Sequence, residues 1–299
     1  MSKILFIFFD GIGLAPEGEH NPFSAAPMSL TKGVSGAGFV KGEPIDEKRV
    51  VFKGIDAQLG VPGIPQSATG QTALFTGVNA AEILGHHLTA YPDNRLTEII
   101  SERNILKVAT DKGHSATFAN AYDLNAYNQL IQEGRILHSA TTLSVLGANL
   151  PFRTLDDLRN GEAVYWDITG EHLRTHRNKD IELITPEEAG KRLVMLMNKN
   201  DLILFECFMP DILGHHREFD KAVSFVQLMD RFVGTSLSEL GDAGTIVITS
   251  DHGNMEDMSS GGHTLNPVPL LAFGKDAQKF GAARSITDIA PIILSILEN

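Results

Sequence analysis

Cysteine is nearly absent from this chain. Cys207 is the only one, so no disulfide can form within the chain. It lies inside an apolar run, as a small buried thiol does. Positive charge is also scarce. The 25 Lys and Arg against 37 Asp and Glu leave a net charge of −12. That deficit argues against a nucleic-acid backbone or an anionic membrane surface as the main partner. It also means that any phosphate site has to be made positive locally, for example by metal ions. No run approaches the roughly 18 apolar residues of a membrane span. The opening run Ile4–Phe9 is too short for a signal-peptide core, and Asp10 ends it at once. The cytoplasm is therefore the expected location. There is no internal repeat and no low-complexity tract.

What is present is enough for a sizeable core. A chain of 299 residues can bury roughly 75% of its unfolded surface, and its apolar content is ordinary. Short, near-continuous apolar runs at Ile4–Phe9, Leu202–Phe205 and Thr245–Thr249 read as buried parallel strands. Helices are expected between them. Thr185-Pro186-Glu187-Glu188 is a capping box with Pro at the first helical position, opening a helix to about Met197. Phe219, Ala222, Val223, Val226, Met229, Val233, Leu237 and Leu240 recur at helical spacing until Gly241 stops them. The tail from Thr287 to Leu297 reads as a closing helix. This alternation predicts an α/β fold with helices on both faces of a mostly parallel sheet. Residues 1–299 read as a single domain. Two stretches break the alternation. Gly11–Gly42 reads as a long loop, and Asn125–Ile184 as either a small cap over the site or peripheral structure.

The chemistry gathers at strand ends. Ile4–Phe9 delivers Asp10, Leu202–Phe208 delivers Asp211 and then His215, and Thr245–Ser250 delivers Asp251 and His252. Ligands of parallel α/β sheets bind at the carboxyl ends of the strands. Asp-x-x-x-His puts both side chains on one face of a helical turn. His263 follows Gly261-Gly262, whose backbone freedom suits a ligand loop. A lone Asp at a strand end is ordinarily a cap or turn former, but three acid or histidine sets on one sheet are hard to explain as caps. Carboxylates with imidazoles suit two divalent ions, Mn²⁺ or Zn²⁺ ahead of Mg²⁺.

In Pro65-Gln66-Ser67-Ala68-Thr69 small polar residues precede a helix-compatible run. A hydroxyl there sees free N–H groups that favour a phosphate. It becomes a nucleophile only with a base or metal to activate it. Both Ser67 and Thr69 also fit the plainer reading of an N-cap. Glu206, a carboxylate inside an apolar strand, needs a partner and is a candidate to support the site from behind, as are Thr69 and Asn254. Asn266 fits a loop-stabilising role. His86, His87 and His216 lie close in sequence to these loops and fit surface positions.

Together these motifs resemble the alkaline phosphatase superfamily, and most closely the metalloenzyme core of cofactor-independent phosphoglycerate mutase. The matching words are Phe9-Asp10-Gly11, Pro210-Asp211 through Gly214-His215, Thr249-Ser250-Asp251-His252-Gly253-Asn254, and Gly262-His263-Thr264-Leu265-Asn266-Pro267-Val268-Pro269. The resemblance covers roughly Ser2–Thr89 and Ile184–Asn299. It implies an α/β/α sandwich in which Asp10, Ser67, Asp251 and His252 bind one metal and Asp211, His215 and His263 the other. Ser67 is then the nucleophile. It implies a two-metal phosphate-ester hydrolase or phosphotransferase working through a phosphoserine on a small phosphorylated substrate. A phosphomutase is the alternative within the class, and a non-catalytic, metal-stabilised binding module the alternative outside it. The chain departs from the mutases in three places. It has Gln66-Ser67-Ala68 where they have Asn-Ser-Glu, Met209 where they have Asn, and a far shorter, arginine-bearing middle (Arg135, Arg153, Arg159, Arg174, Arg177). A sulfatase is disfavoured because Ala68-Thr69-Gly70-Gln71 lacks that family's Pro and Arg.

Overall fold

The structure, a computed structural model, describes residues 2–298. Its strands are β1 Ile4–Phe9, β2 Ile45–Glu47, β3 Val50–Ile55, β4 Ala116–Phe118, β5 Ala121–Tyr122, β6 Arg153–Thr154, β7 Leu202–Cys207, β8 Thr245–Thr249 and β9 Val268–Gly274. Seven form one sheet in the order β2-β3-β9-β8-β1-β7-β4. β8, β1, β7 and β4 run parallel. β9 is antiparallel to both β8 and β3. β1 lies inside the sheet between β8 and β7 and is buried on both faces along its whole length, which is why its sequence is apolar without alternation.

Successive β1 side chains point to opposite faces. Leu5, Ile7 and Phe9 join a core with the Phe219–Leu240 and Pro186–Leu196 helices. Ile4, Phe6 and Phe8 join a second core with the Ser67–Thr76 and Ile289–Leu297 helices. Phe75 packs edge-on against Phe6 and Phe8, with ring centroids 6.2 and 5.4 Å apart. These contacts fix the Ser67–Thr76 helix against the strand that carries Asp10. The result is the expected three-layer sandwich.

Several local expectations need correction. Gly11–Gly42 is not simply a loop, because it holds helices Pro22–Ala25 and Ser29–Ser35. The second has no side-chain cap of its own. Instead Asp230, on the long helix, accepts from the N–H groups of Leu30 and Thr31 at 3.0 and 2.8 Å, a tertiary cap invisible to local reading. At the Pro186 helix Thr185 accepts from the Glu188 N–H, but Glu188 pairs with Arg192 rather than closing the capping box. β7 extends past Phe205 to Cys207. Asn120, beyond the end of β4, binds both the N–H and the C=O of Glu206. The closing α-helix is Ile289–Leu297, preceded by a 3₁₀ turn at Ile286–Asp288.

The middle of the chain divides in two. The Ala140–Gly147 helix packs into the core beneath the main sheet. Ala121, Leu158, Ala163, Tyr165, Leu173 and Ile181 form a small core of their own beside the two-stranded β5-β6 pair. No described helix is long and apolar enough to cross a membrane.

Candidate metal centre

Asp10 follows β1 and Asp251 follows β8, so both emerge at the carboxyl edge of adjacent parallel strands. Asp211 and His215 lie one turn apart on helix Met209–His216, which begins just past β7. His263 precedes β9. Since β9 runs antiparallel to β8, its beginning lies at the edge where β8 ends. Ser67 is the first residue of its helix, with Gln66 as the N-cap and no side-chain cap bond. The N-cap reading of Ser67 and Thr69 therefore does not hold.

These residues converge. Asp10, Asp251 and His252 form one group that could hold an ion, and Asp211, His252 and His263 another. His252 belongs to both. Its Nε2 lies 3.2 Å from Asp10 Oδ1, 3.5 Å from Asp251 Oδ2 and 3.0 Å from Ser67 Oγ. His263 Nε2 is 3.3 Å from Asp211 Oδ1, and His215 Nε2 is 3.3 Å from Asp211 Oδ2. The His252 and His263 rings stack at 3.7 Å.

Glycine makes the approach possible at two points. A Cβ on Gly70, in the Ser67 helix, would lie 2.8 Å from the Asp251 carbonyl oxygen. Gly11 has φ +78°, and a Cβ there would lie 2.7 Å from Asp211 Cβ.

The donor set fits cations. Each histidine turns Nδ1 to a backbone carbonyl: Gly253 at 3.4 Å for His252, Gly261 at 3.0 Å for His215 and Pro65 at 2.9 Å for His263. With an ion bound, that network would keep the proton on Nδ1 and leave each Nε2 lone pair free to face the ion. The Nε2 atoms of His215 and His263 are only 3.1 Å apart, where two lone pairs would repel. Asp10 Oδ1 and both Asp251 carboxylate oxygens are buried without a hydrogen-bond donor, a costly state unless a positive charge sits among them.

Protonation behaviour reflects the same crowding. Burial, and then the charge of Asp10, push the Asp251 carboxyl well above its ordinary range. Burial pulls His252 down, but Asp251 and Asp10 outweigh it and raise His252 to about 10. Burial raises Asp211, but the His263 hydrogen bond and the nearby His252 outweigh it, leaving about 2. Without a cation, His252 itself takes on the positive charge that the carboxylates demand.

The surrounding residues sort clearly. Asn254 donates to Asp211 Oδ1 at 2.6 Å. Gln71 donates to Asp10 Oδ2 at 3.0 Å, a contact that nothing in the sequence around Gln71 announced. Thr69 turns away, donating to the Gln66 carbonyl and accepting from the Leu88 N–H. Glu206 touches no metal-ligating atom. It accepts from Thr141 at 2.7 Å, and burial, eased by Thr141 and reinforced by the charge of Asp10, pushes it up to about 8. Asn266 donates to Glu256, which the sequence reading passed over. His86 and His216 are exposed, and His87 faces the Val61 carbonyl. Arg135 and Arg159 pair with neighbouring carboxylates, and Arg153 binds Thr117 and the Glu162 carbonyl. Arg177 lines a cavity of about 1000 Å³ with Trp166, His172, Phe208 and Met209.

Residues 178–298, which contain five of the seven converging side chains, match the Metalloenzyme superfamily. The chain resembles the metalloenzymes of the alkaline phosphatase superfamily. It is 34% identical over 106 residues to the 2,3-bisphosphoglycerate-independent phosphoglycerate mutase of Halobacterium salinarum, covering 32% of this chain and 21% of that protein. It is 27% identical over 237 residues to the enzyme of the same name from Clostridium kluyveri, covering 70% of this chain and 44% of that one. The matches thus span less than half the length of these relatives. Alkaline phosphatase from the Antarctic bacterium TAB5 superposes with a TM-score of 0.55 at 15% identity, covering 100% of this chain and 99% of that one. That likeness identifies the α/β fold.

Proposed function

We propose that this protein is a metal-dependent phosphoryl-transfer enzyme that hydrolyses a small phosphate ester, with Ser67 as nucleophile. One observation carries the reading: Ser67 Oγ lies 3.0 Å from His252 Nε2, and His252 is shared by both ligand groups. A serine hydroxyl beside two candidate cation sites suits attack on a phosphorus atom. Asp10, Ser67, Asp251 and His252 would hold one divalent cation, and Asp211, His215 and His263 a second. Mn²⁺ or Zn²⁺ suits this mixture of imidazole and carboxylate. When bound, the pair neutralises phosphoryl oxygens and lowers the pKa of a hydroxyl or a water.

The remaining steps belong to the chain. The N-terminus of the Ser67–Thr76 helix offers free N–H groups and the positive end of its dipole to the phosphoryl oxygens. Ser67 Oγ bonds to phosphorus as the ester P–O bond breaks, and the proton lost by the serine hydroxyl leaves on the departing alcohol. Water then attacks the phosphoserine, the Oγ–P bond breaks, one proton of that water returns to Oγ, and phosphate is released. Glu206 stays neutral near pH 7, below its value of about 8, and so adds no negative charge behind Asp10.

A phosphomutase is the second reading, supported by the names of the partial relatives. The same phosphoserine would then pass its phosphoryl group to another hydroxyl of the same substrate, which requires water to be kept out. Incubating the Mn²⁺-loaded protein with an aryl phosphate and, separately, with phosphoglycerates tests both. Free phosphate and a Ser67-linked phosphate are expected. Isomerised phospho-acid without free phosphate would favour the mutase. Unchanged aryl phosphate hydrolysis by Ser67→Ala would defeat the covalent route altogether.

A further inference from the structure

Glu256 is fully buried and has no cationic side chain among its hydrogen-bond partners. Its carboxylate is nonetheless fully engaged. Oε2 accepts from the backbone N–H groups of Gly13 and Asn254, each at 2.8 Å. Oε1 accepts from the Thr264 hydroxyl and from Asn266 Nδ2 at 3.1 Å. The donors come from three separate loops. Gly13 lies three residues after Asp10, Asn254 two after His252, and Thr264 directly after His263. Asn254 carries the connection to the Met209–His216 helix through its 2.6 Å bond to Asp211 Oδ1.

The packing leaves no slack. A Cβ on Gly13 or on Gly253 would lie 2.3 Å from Glu256 Oε1. The Asp10, His252 and His263 loops therefore close directly onto this carboxylate.

We propose that Glu256 is a positioning residue that sets the spacing between the two ligand groups, so that both metal subsites form together. The proposal rests on the metal-centre reading above. Its chemical logic is the pairing of donors. Only a group with two acceptor oxygens can take two backbone N–H groups on one side and a hydroxyl and an amide on the other. A glutamine of the same shape would turn an NH₂ toward one of these donor pairs, so one side of the junction opens. Groups that orient metal ligands from behind typically change metal affinity by 10- to 100-fold when replaced.

The test is calorimetric titration of the full-length metal-free protein with Mn²⁺, with electron paramagnetic resonance of the loaded protein. The wild type is expected to bind two Mn²⁺ with a spin-coupled signal. Glu256→Gln is expected to weaken both subsites, on the order of 10- to 100-fold, and to alter the Mn–Mn coupling. A purely structural role would lower the melting temperature and leave per-site affinity and coupling of the folded protein unchanged, which would overturn the proposal. Loss at only one subsite would overturn it too. If Glu256→Gln does not fold, Thr264→Val and Asn266→Ala each remove a single donor, and a smaller drop at both subsites is expected. The wild type separates the two readings. If it bound no Mn²⁺, the metal centre and this proposal would fall together; if it bound two and the variants bound them equally well, only the role of Glu256 would fall.

Discussion

The two halves of the candidate centre differ in their access to water. Asp10, Asp251 and His252 are all buried, and two of the three carry carboxylate oxygens that no donor satisfies. In the other half the Asp211 side chain is 18% exposed and His263 only 7%, and His215 opens the site to solvent. The His215 side chain is 44% exposed, against 0% for His252. Electrostatic interactions are strong where water is excluded and weak where it is not. The buried half, which holds Ser67, is therefore suited to retaining an ion. The open half is suited to exchanging water, substrate and product.

The largest effect is expected at the buried half. Asp251→Asn removes a charge from the centre of the carboxylate group, and phosphatase activity should fall by about 10³-fold or more, equivalent to about 4 kcal/mol of barrier. Metal analysis of the purified variant should show loss of at least one ion. Activity near that of the wild type would mean that Asp251 is not a ligand.

Gly70→Ala comes next. The added methyl would press against the Asp251 carbonyl and push the Ser67 helix off the site. A loss on the order of 10²-fold in kcat is expected, since small misplacements of catalytic groups cost about that much. Because the strain acts on the position of Ser67, kcat should fall more than metal affinity does. Equal falls in both would assign the damage to the ligands instead.

His215→Ala probes the open half. One subsite should weaken by roughly 10-fold or more while the other keeps its ion, visible as two resolved Mn²⁺ binding steps. Simultaneous loss of both ions would erase the contrast between the halves.

Proton release sharpens it further. In metal-free protein His252 holds its proton up to about pH 10, so an ion must displace that proton at neutral pH. Mn²⁺ uptake at pH 7 should release about one proton, measured by calorimetry in buffers of different ionisation enthalpy, and affinity should rise with pH. His215→Ala should leave that release in place.

The smallest effect concerns Glu206, behind Asp10. Its native value of about 8 lies above the ordinary 4.5, so the unfolded chain loses this proton first. Its contribution to stability is complete below pH 4.5 and is lost as pH rises toward 8. In the metal-free protein Glu206→Gln should flatten that part of the stability–pH curve, as followed by thermal melts between pH 5 and 9. An unchanged slope would mean that Glu206 is ionised in the native state.

Much of this was legible in the sequence, for identifiable reasons. Strand β1 declared itself because burial on both faces demands an unbroken apolar run. Asp211 and His215 declared a shared face through helical spacing. Gln71 and Glu256 gave no such sign: each is a polar residue in a segment whose pattern is set by other needs, and its partner lies far along the chain. The Ser29–Ser35 helix was hidden because Asp230, some 200 residues away, provides its cap. The Ala140–Gly147 helix lies within the stretch read as a cap or peripheral structure, yet it belongs to the main core.

The sequence by itself determined the layers, the strand ends and the kinds of side chain those ends deliver, because apolar periodicity and residue chemistry are local properties. Tertiary structure alone decided that seven side chains between Asp10 and His263 meet. That outcome depends on parallel β1, β7 and β8 ending at one edge and on antiparallel β9 beginning there. Sheet order and strand direction are set by packing across the whole chain, and no short stretch of residues encodes them.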